Sequence, residues 1–123
     1  MRSESPSRPV IWVGSSREDL RKFPEPVQDH MGYALYVAQQ GGKHREAKVL
    51  AGFGGGGVVE VIKDHRGDTY RAVYSLRHAQ AIYVLHAFQK KSKAGSQTPR
   101  RDLEMIQKRL REAEQMAKRT AHE

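Results

Sequence analysis

The sequence predicts one α+β domain in the order β-α-α-β-β-β-α, a small antiparallel sheet with an N-terminal helical hairpin and a C-terminal helix. Two stretches carry apolar residues every three or four positions, which is typical of helices that bury one face. Between them lie three short segments rich in Val, Ile, Tyr and Phe and separated by turn residues, as in β-hairpins. The length of 123 residues suits a single domain.

The N-terminal half predicts one strand and two helices. A short apolar run after Pro9 predicts the strand, and Ser15 lies three residues before Glu18, the capping-box spacing of a helix start. Two prolines end this first helix, and a second helix extends to about Gln40. Its predicted buried stripe is Val27, Met31, Ala34, Leu35 and Ala38.

The second half predicts three strands, 58–63, 69–76 and 81–88, joined by turns too short for parallel crossovers. The glycine run before them does not indicate a phosphate loop, because a strand and not a helix follows it; a flexible start of the hairpin is the better interpretation. Thr98 and Pro99 begin the last helix, which ends near residue 118. Its predicted apolar stripe is Leu103, Ile106, Leu110, Ala113 and Ala117. Its predicted solvated face is Arg101, Lys108, Arg109, Arg111, Glu112 and Glu114.

These elements predict a disordered N-terminal tip (1–8), a single domain (9–118) and a disordered C-terminal tip (119–123). The chain has no cysteine, which excludes disulfides, a thiolate nucleophile and Cys-ligated zinc. It has no apolar run long enough to span a bilayer and no apolar leader, so we expect a cytoplasmic protein without a membrane partner.

Positive charge is the main functional signal. The formal net charge is +8, which favours a polyanionic partner such as nucleic acid. Between Phe88 and Arg101 the charged residues are all basic: Lys90, Lys91, Lys93, Arg100 and Arg101. Arg66, Arg71, Arg77 and His78 lie on or beside the preceding hairpin and are expected nearby. The cluster is either a solvated charge run or an RNA-binding surface on which Phe88 or a tyrosine stacks a base.

Such a surface has the groups that metal-free RNA cleavage needs. The 2′-hydroxyl must lose a proton, the phosphate charge must be stabilised, and the 5′-oxygen must be protonated. Clustered lysines have lowered pKa values and can transfer protons, whereas arginine is suited to clamping phosphate. His86 is either an acid or base, or a satisfied strand histidine. The six histidines show no metal-ligand spacing and no carboxylate partner at such spacing, so neither a metal nor a cofactor is predicted.

The chain strongly resembles the phage-derived branch of the RelE/HigB-type toxin family. The resemblance covers roughly residues 10 to 113; its most specific pieces are YRAVY, YVLHAFQKKSK and the Thr-Pro start of the last helix. It implies the RelE-like fold and the toxin of a type II toxin–antitoxin module. Such toxins typically cleave mRNA in the ribosomal A site without a metal and so inhibit translation. A cognate antitoxin, often a helix-turn-helix protein, neutralises them, and operator DNA is bound only through the toxin–antitoxin complex.

The resemblance also implies residue roles. Arg71 in YRAVY matches the strand arginine that holds the scissile phosphate, and Lys90 matches a basic residue that stabilises the transition state or leaving group. Lys91 and Lys93 belong to the same motif and would bind RNA, and Lys90, Lys91 or His86 could carry the proton. Where well-studied RelE toxins have paired lysines, this chain has Glu60 and Ile62, and a C-terminal tyrosine used by some members has no clear equivalent. Glu60 is either the base or, as we favour, a cross-hairpin partner of Arg71.

Two other functions stay open on the sequence alone. One is a non-enzymatic toxin of the ParE type that acts on DNA gyrase, and the other is an RNA-binding module without cleavage. Arg71 and the strand-end lysines favour the nuclease, because gyrase poisoning needs no phosphate clamp.

Overall fold

The computed structural model describes residues 7–90 and 98–121. Within these ranges the elements are β1 Val10–Trp12, α1 Ser16–Arg21, α2 Glu25–Gln39, β2 Ala47–Val49, β3 Val58–His65, β4 Asp68–Ser75, β5 Ile82–Lys90 and α3 Arg100–Ala121. The predicted α+β class is confirmed. The described part of the chain adds one strand, β2, that the sequence did not predict.

The five strands form one sheet in the order β1-β5-β4-β3-β2. The three hairpin strands pair antiparallel, as predicted. The expectation of a wholly antiparallel sheet is wrong at one edge, because β1 runs parallel to β5 with Val10 opposite Ile82. A parallel pair needs a long connection, and the rest of the domain supplies it between these two strands.

The unpredicted strand β2 is an edge strand of three residues, paired with β3 through Ala47 opposite Val61. A segment of this length spans too few positions for an alternating apolar pattern to be recognised. Its formation depends on the neighbouring β3 rather than on its own sequence.

Helices cover both faces of the sheet and divide the core into two parts. Helices α1 and α2 pack on one face, where all five residues of the predicted α2 stripe are buried. Helix α3 packs on the other face through Ile106, Leu110 and Ala113, again as predicted. Three tyrosines of the hairpin strands, Tyr70, Tyr74 and Tyr83, are core residues, as expected for a sheet this small.

The fold extends slightly beyond the predicted domain at both ends. The guanidinium of Arg8 donates hydrogen bonds to the carbonyl oxygens of Ala38 and His78, each at 3.0 Å, which fastens residue 8 to the end of α2 and to the segment between β4 and β5. Helix α3 continues to Ala121, past the predicted end at residue 118. The remaining parts of the predicted tips, 1–6 and 122–123, lie outside the described residues.

The glycine run before β3 has a specific structural reason. Gly54 to Gly57 all have positive φ angles, between 81° and 101°, a conformation that side chains other than glycine rarely adopt. A Cβ at Gly57 would lie 2.7 Å from the Cγ of Arg77. Arg77 also donates to the carbonyl oxygen of Gly56 at 3.4 Å and to the carboxylate of Glu114 at 3.0 Å. The glycine run is therefore a loop with a defined conformation, and Arg77 links it to Glu114 on α3.

No helix in the described ranges is both long enough and apolar enough to cross a bilayer.

Candidate functional site

The predicted site residues of β4 and β5 lie on the sheet face that α3 covers. Register pairs Arg71 with Phe88 and Thr69 with Lys90, so that the side chains of Arg71, Phe88 and Lys90 share this face. In such a ladder, Arg71 and Lys90 are diagonal neighbours, about 7–8 Å apart and somewhat closer at Cβ. The sequence prediction that the strand arginine and the first strand-end lysine lie on one side of the molecule therefore agrees with the register.

An irregularity in β5 brings His86 to the same face. The register shifts between Val73, which lies opposite His86, and Tyr74, which lies opposite Val84, so Leu85 is an extra residue in β5. The bulge turns Leu85 and His86 toward the same side. Without it, the alternation that places Leu85 in the α3-side core would place His86 against α2.

Arg71 is buried and bonded inside the protein. It is 2% exposed, and its NH1 atom donates to Oε2 of Glu60 and to Oγ1 of Thr98, each at 3.2 Å. The Thr98 hydroxyl in turn donates to the same Glu60 oxygen at 3.2 Å. We call these three residues the Arg71 triangle. The favoured interpretation of Glu60 as the cross-hairpin partner of Arg71 is confirmed, and the partner neutralises the guanidinium charge.

His86 is held in a second polar group with residues of α3. Its Nε2 lies 2.7 Å from Oδ1 of Asp102, and its Nδ1 lies 3.5 Å from NH1 of Arg109. Its ring stacks on Phe88 with centroids 4.8 Å apart, and the residue is 8% exposed. The carboxylate fixes the ring orientation, as it does for catalytic histidines and for structural ones. Both sequence interpretations of His86 thus have a physical basis here.

The three strand-end lysines are only partly described. Lys90 is 7% exposed at the end of β5. The predicted roles of Lys91 and Lys93 concern residues outside the described ranges. The site that can be assembled from the described residues is therefore the Arg71 triangle, the His86 group and Lys90.

Arg66 and Arg77 do not lie close together, contrary to expectation. Arg66 is in the turn before β4, at the Lys90 end of the sheet, whereas Arg77 follows the other end of that strand. The eight residues of β4 separate them by about 24 Å. Arg66 is exposed, but Arg77 is bonded to Glu114 and to the glycine loop. Arg77 is therefore not part of this site.

Sequence reasoning missed three residues of the site: Thr98 was considered only as a helix cap, Asp102 was not considered, and Arg109 was placed on the solvated face of α3. Arg109 is in fact 8% exposed and donates to the carbonyl oxygen of Leu85 and to the Ser15 hydroxyl, each at 3.0 Å. The carbonyl oxygen of Leu85, the extra residue of the bulge, thus accepts a hydrogen bond from a charged donor. The signal was present in the spacing, because positions 102, 106, 109 and 113 form one continuous helical stripe.

Ser15 itself does not form the predicted capping box. Its hydroxyl bonds to the Asp19 carboxylate at 2.8 Å and accepts from Arg109, and no side-chain cap hydrogen bond is made at the start of α1. Arg109 of α3 thus donates to the Ser15 hydroxyl that would otherwise accept a hydrogen bond in the capping box.

The prediction that no histidine has a carboxylate partner at ligand spacing is wrong. His30, His44 and Glu46, on the side of the sheet covered by α2, offer one ligand atom each, and all three atoms lie within 4.8 Å of one another. Within the described ranges this group is separate from the Arg71 triangle and the His86 group, which lie under α3.

Together, the fold and the site define a small α+β protein with cationic and imidazole groups packed between one sheet face and the C-terminal helix. A protein-family model, described as "Phage derived protein Gp49-like (DUF891)", matches residues 18–111. The chain belongs to this family, which confirms the predicted phage-derived branch of RelE/HigB-type toxins. The coarse functional prediction, a toxin of a toxin–antitoxin system, has support from this membership.

The chain is also similar to a chain of the toxin–antitoxin complex RelBE2 from Mycobacterium tuberculosis. The two are 17% identical, the match covers 74% of this chain and 100% of the other, and the TM-score is 0.47. Family membership depends on the sequence model and not on this likeness. Comparison with curated proteins gives no match.

Proposed function

We propose that the protein is the toxin of a type II toxin–antitoxin module and that it cleaves mRNA on the ribosome by general acid–base catalysis with its own side chains. The observation that carries this proposal is the register that puts Arg71, His86, Phe88 and Lys90 on one sheet face. Family membership supplies the toxin class, and these side chains supply the chemistry.

Each group has a role that its chemistry suits. Arg71 stabilises the negative charge that develops on the scissile phosphate, because a guanidinium stays protonated and binds two oxygens at once. His86 exchanges the proton of the 2′-hydroxyl or of the leaving oxygen, oriented by Asp102. Lys90, with Lys91 beyond it, stabilises the leaving group. Phe88 stacks a base, and Arg66 and Lys93 bind the RNA backbone.

In the structure these groups are buried, so RNA binding must include a rearrangement of the protein around them. Arg71, His86 and Lys90 are 2%, 8% and 7% exposed. Thr98 and the first turn of α3, which carries Asp102, contact two of them directly. An RNA phosphate would replace Glu60 and Thr98 as the partner of Arg71, because a phosphate accepts charge-assisted, bidentate hydrogen bonds from a guanidinium. We therefore expect the start of α3 to move away from the sheet during catalysis.

The partners follow from the same proposal. The ribosome and mRNA are the targets, and a cognate antitoxin, of the helix-turn-helix type, neutralises the toxin by covering the basic face. Operator DNA is bound only through the toxin–antitoxin complex. The site of action is the cytoplasm.

One observation favours a second candidate, a non-enzymatic toxin of the ParE type that acts on DNA gyrase. The Arg71 charge is neutralised by Glu60 inside the protein, which suits a structural arginine as well as a phosphate clamp. On this alternative the Arg71 triangle only fastens α3 to the sheet.

The test is induction of the protein in cells, with mRNA 5′ ends mapped by sequencing and chromosome integrity followed in parallel. We expect cuts in frame with codons and intact DNA. The variant Lys90→Met should lose the cuts and relieve growth arrest, while the matched control Arg21→Ala, an exposed cation on α1, should keep both. Intact mRNA with broken DNA would refute the nuclease and support the gyrase alternative. Intact mRNA and intact DNA with growth arrest would refute both.

A further inference from the structure

The loop between α2 and β2 carries a group of metal-ligand side chains. His30 lies on α2, and His44 and Glu46 lie in the loop immediately before β2. Nε2 of His30 is 3.0 Å from Oε1 of Glu46, and the three ligand atoms lie within 4.8 Å of one another. The two histidines are fourteen positions apart in the sequence, so the fold brings them together.

The geometry is close to what a tetrahedral metal requires. Bonds of about 2.0–2.2 Å from Zn²⁺ to imidazole nitrogen and carboxylate oxygen put neighbouring ligand atoms about 3.4 Å apart. The His30–Glu46 distance already agrees with this, and the widest separation needs to shorten by about 1.4 Å at most. His44 and Glu46 both lie in the loop before β2, and Glu46 is half exposed, so these side chains can move by this amount.

The polar atoms of the group are incompletely satisfied by the protein. Nε2 of His30 is buried and, despite its closeness to Glu46, has no aligned hydrogen-bond partner among the described residues. The backbone amide of Glu46 donates a hydrogen bond to Nδ1 of His44 at 3.1 Å, so a metal ion bound through that nitrogen would replace this hydrogen bond. Burial lowers the pKa of His30, and the nearby carboxylate of Glu46 opposes this shift.

We propose that His30, His44 and Glu46 bind one divalent transition-metal ion of the Zn²⁺ type and thereby fasten the α2–β2 loop to helix α2. Two imidazoles and one carboxylate are a ligand set for Zn²⁺, and three protein ligands leave a fourth position for water or for a side chain of another molecule. The His44 ring is held in place by an edge-to-face contact with Tyr33, at 5.7 Å between centroids. This site lies on the other side of the sheet from the Arg71 triangle, so it goes beyond the proposed function and does not depend on it.

The charges around the proposed site determine how tightly it is expected to bind a metal ion. Lys63 faces His30 and opposes a cation, and among the described residues that act on His30 the carboxylate of Glu46 is the one that compensates it. We therefore expect a moderate affinity that selects metals bound strongly by imidazole, Zn²⁺ over Mg²⁺ or Ca²⁺.

The test is titration of the purified full chain, without a polyhistidine tag, with Zn²⁺ against a chromogenic chelator, followed by the absorption spectrum of the Co²⁺ form. We expect one ion per chain and the visible absorption of four-coordinate Co²⁺. His44→Ala and Glu46→Gln should each weaken binding by about tenfold or more, since each removes a ligand. His65→Ala, a histidine at the end of β3, is the matched control and should bind as the parent does.

Thermal unfolding gives an independent measurement. Zn²⁺ should raise the Tm of the parent and of His65→Ala but not that of Glu46→Gln, because only a ligand of the folded state stabilises it. Glu46 is exposed enough for its variant to fold, which keeps the test valid if a histidine variant does not. Absence of stoichiometric binding, or equal binding by Glu46→Gln and the parent, would overturn the proposal. None of these results depends on RNA cleavage.

Discussion

The ion pair between Glu60 and Arg71 leads to a quantitative prediction about stability. Its two side chains are only 8% and 3% exposed, so water screens the interaction little, and the pair cannot be treated as a surface salt bridge. Removing one partner leaves a buried charge without compensation, which typically costs about 3–5 kcal/mol. Since a domain of this size is stable by about 5–15 kcal/mol, one substitution could remove much of its stability.

Three variants separate the effect of the buried charge on stability from the effect of side-chain volume: Glu60→Leu, Arg71→Met and the double variant. We expect each single variant to lose about 3–5 kcal/mol and the double variant to lose much less, because two apolar side chains of similar size replace the pair without leaving a buried charge. Urea unfolding followed by circular dichroism at pH 7 measures the free energies, and a double-mutant cycle gives the coupling between the two sites.

The reasoning would be refuted by single variants that cost less than about 1 kcal/mol, the value of an exposed pair. It would also fail if the double variant were as unstable as the sum of the singles, since the two residues would then act independently. Thr98 bonds to both members of the pair, so Thr98→Val is the control: it should cost about 1–3 kcal/mol and leave the coupling in place.

Three further predictions concern other buried groups. Burial raises the pKa of Tyr74 from 10.0 to about 12, so at pH 11 the unfolded chain loses the phenolic proton and the folded protein keeps it. The contribution of this residue to the free energy of unfolding is therefore constant well below pH 10 and falls by about 1.4 kcal/mol by pH 11. Urea unfolding at pH 8 and pH 11 should show that the parent loses about 1.4 kcal/mol more than Tyr74→Phe does. Arg109→Met should cost about 1–3 kcal/mol in urea unfolding, because a buried carbonyl loses its donor, whereas Lys108→Met, exposed on the same helix, should stay within about 0.5 kcal/mol. Gly57→Ala should lower the Tm, because the φ angle of Gly57 is +90° and the new Cβ would lie 2.7 Å from a side-chain atom. Gly32→Ala, in α2 with open space around it, should raise the Tm slightly. A higher Tm for Gly57→Ala than for Gly32→Ala would contradict the account of the glycine loop.

Much of the fold follows from local sequence patterns. The α2 stripe and the hairpin strands were predicted because their periodicity is long and regular enough to be distinctive. The two differences in the sheet, strand β2 and the parallel pairing of β1, have another origin. Each of these strands has three residues. Strand β1 pairs with β5, which lies far away in sequence, and β2 pairs with β3 across the irregular glycine loop. Edge pairings of this kind depend on tertiary structure and leave little trace in the segment itself.

The site was predictable only in part, for a different physical reason. The sequence shows which residues carry charge, but not always which groups compensate that charge inside the fold. The hairpin predicts the pairing of Arg71 with Glu60, which the structure has. Arg109, in contrast, looks like any basic residue in a chain with net charge +8, and its partner is the backbone carbonyl of Leu85, 24 positions earlier in the sequence. Charge patterns therefore located the region and misplaced Arg77 and Arg109.

The burial of Arg71 changes how a loss of toxicity in its variants has to be interpreted. Arg71→Ala removes a phosphate clamp on the proposed function, but it also leaves Glu60 buried without its partner, so inactivity alone would follow from unfolding just as well. The double variant Glu60→Leu with Arg71→Met removes the guanidinium while avoiding the uncompensated charge. A folded but inactive double variant would therefore assign the Glu60–Arg71 pair to catalysis, whereas a folded double variant that still cuts mRNA would reduce the pair to residues that fasten α3 to the sheet. Stability and activity can be separated at this position only because the structure identifies the partner that must change with it.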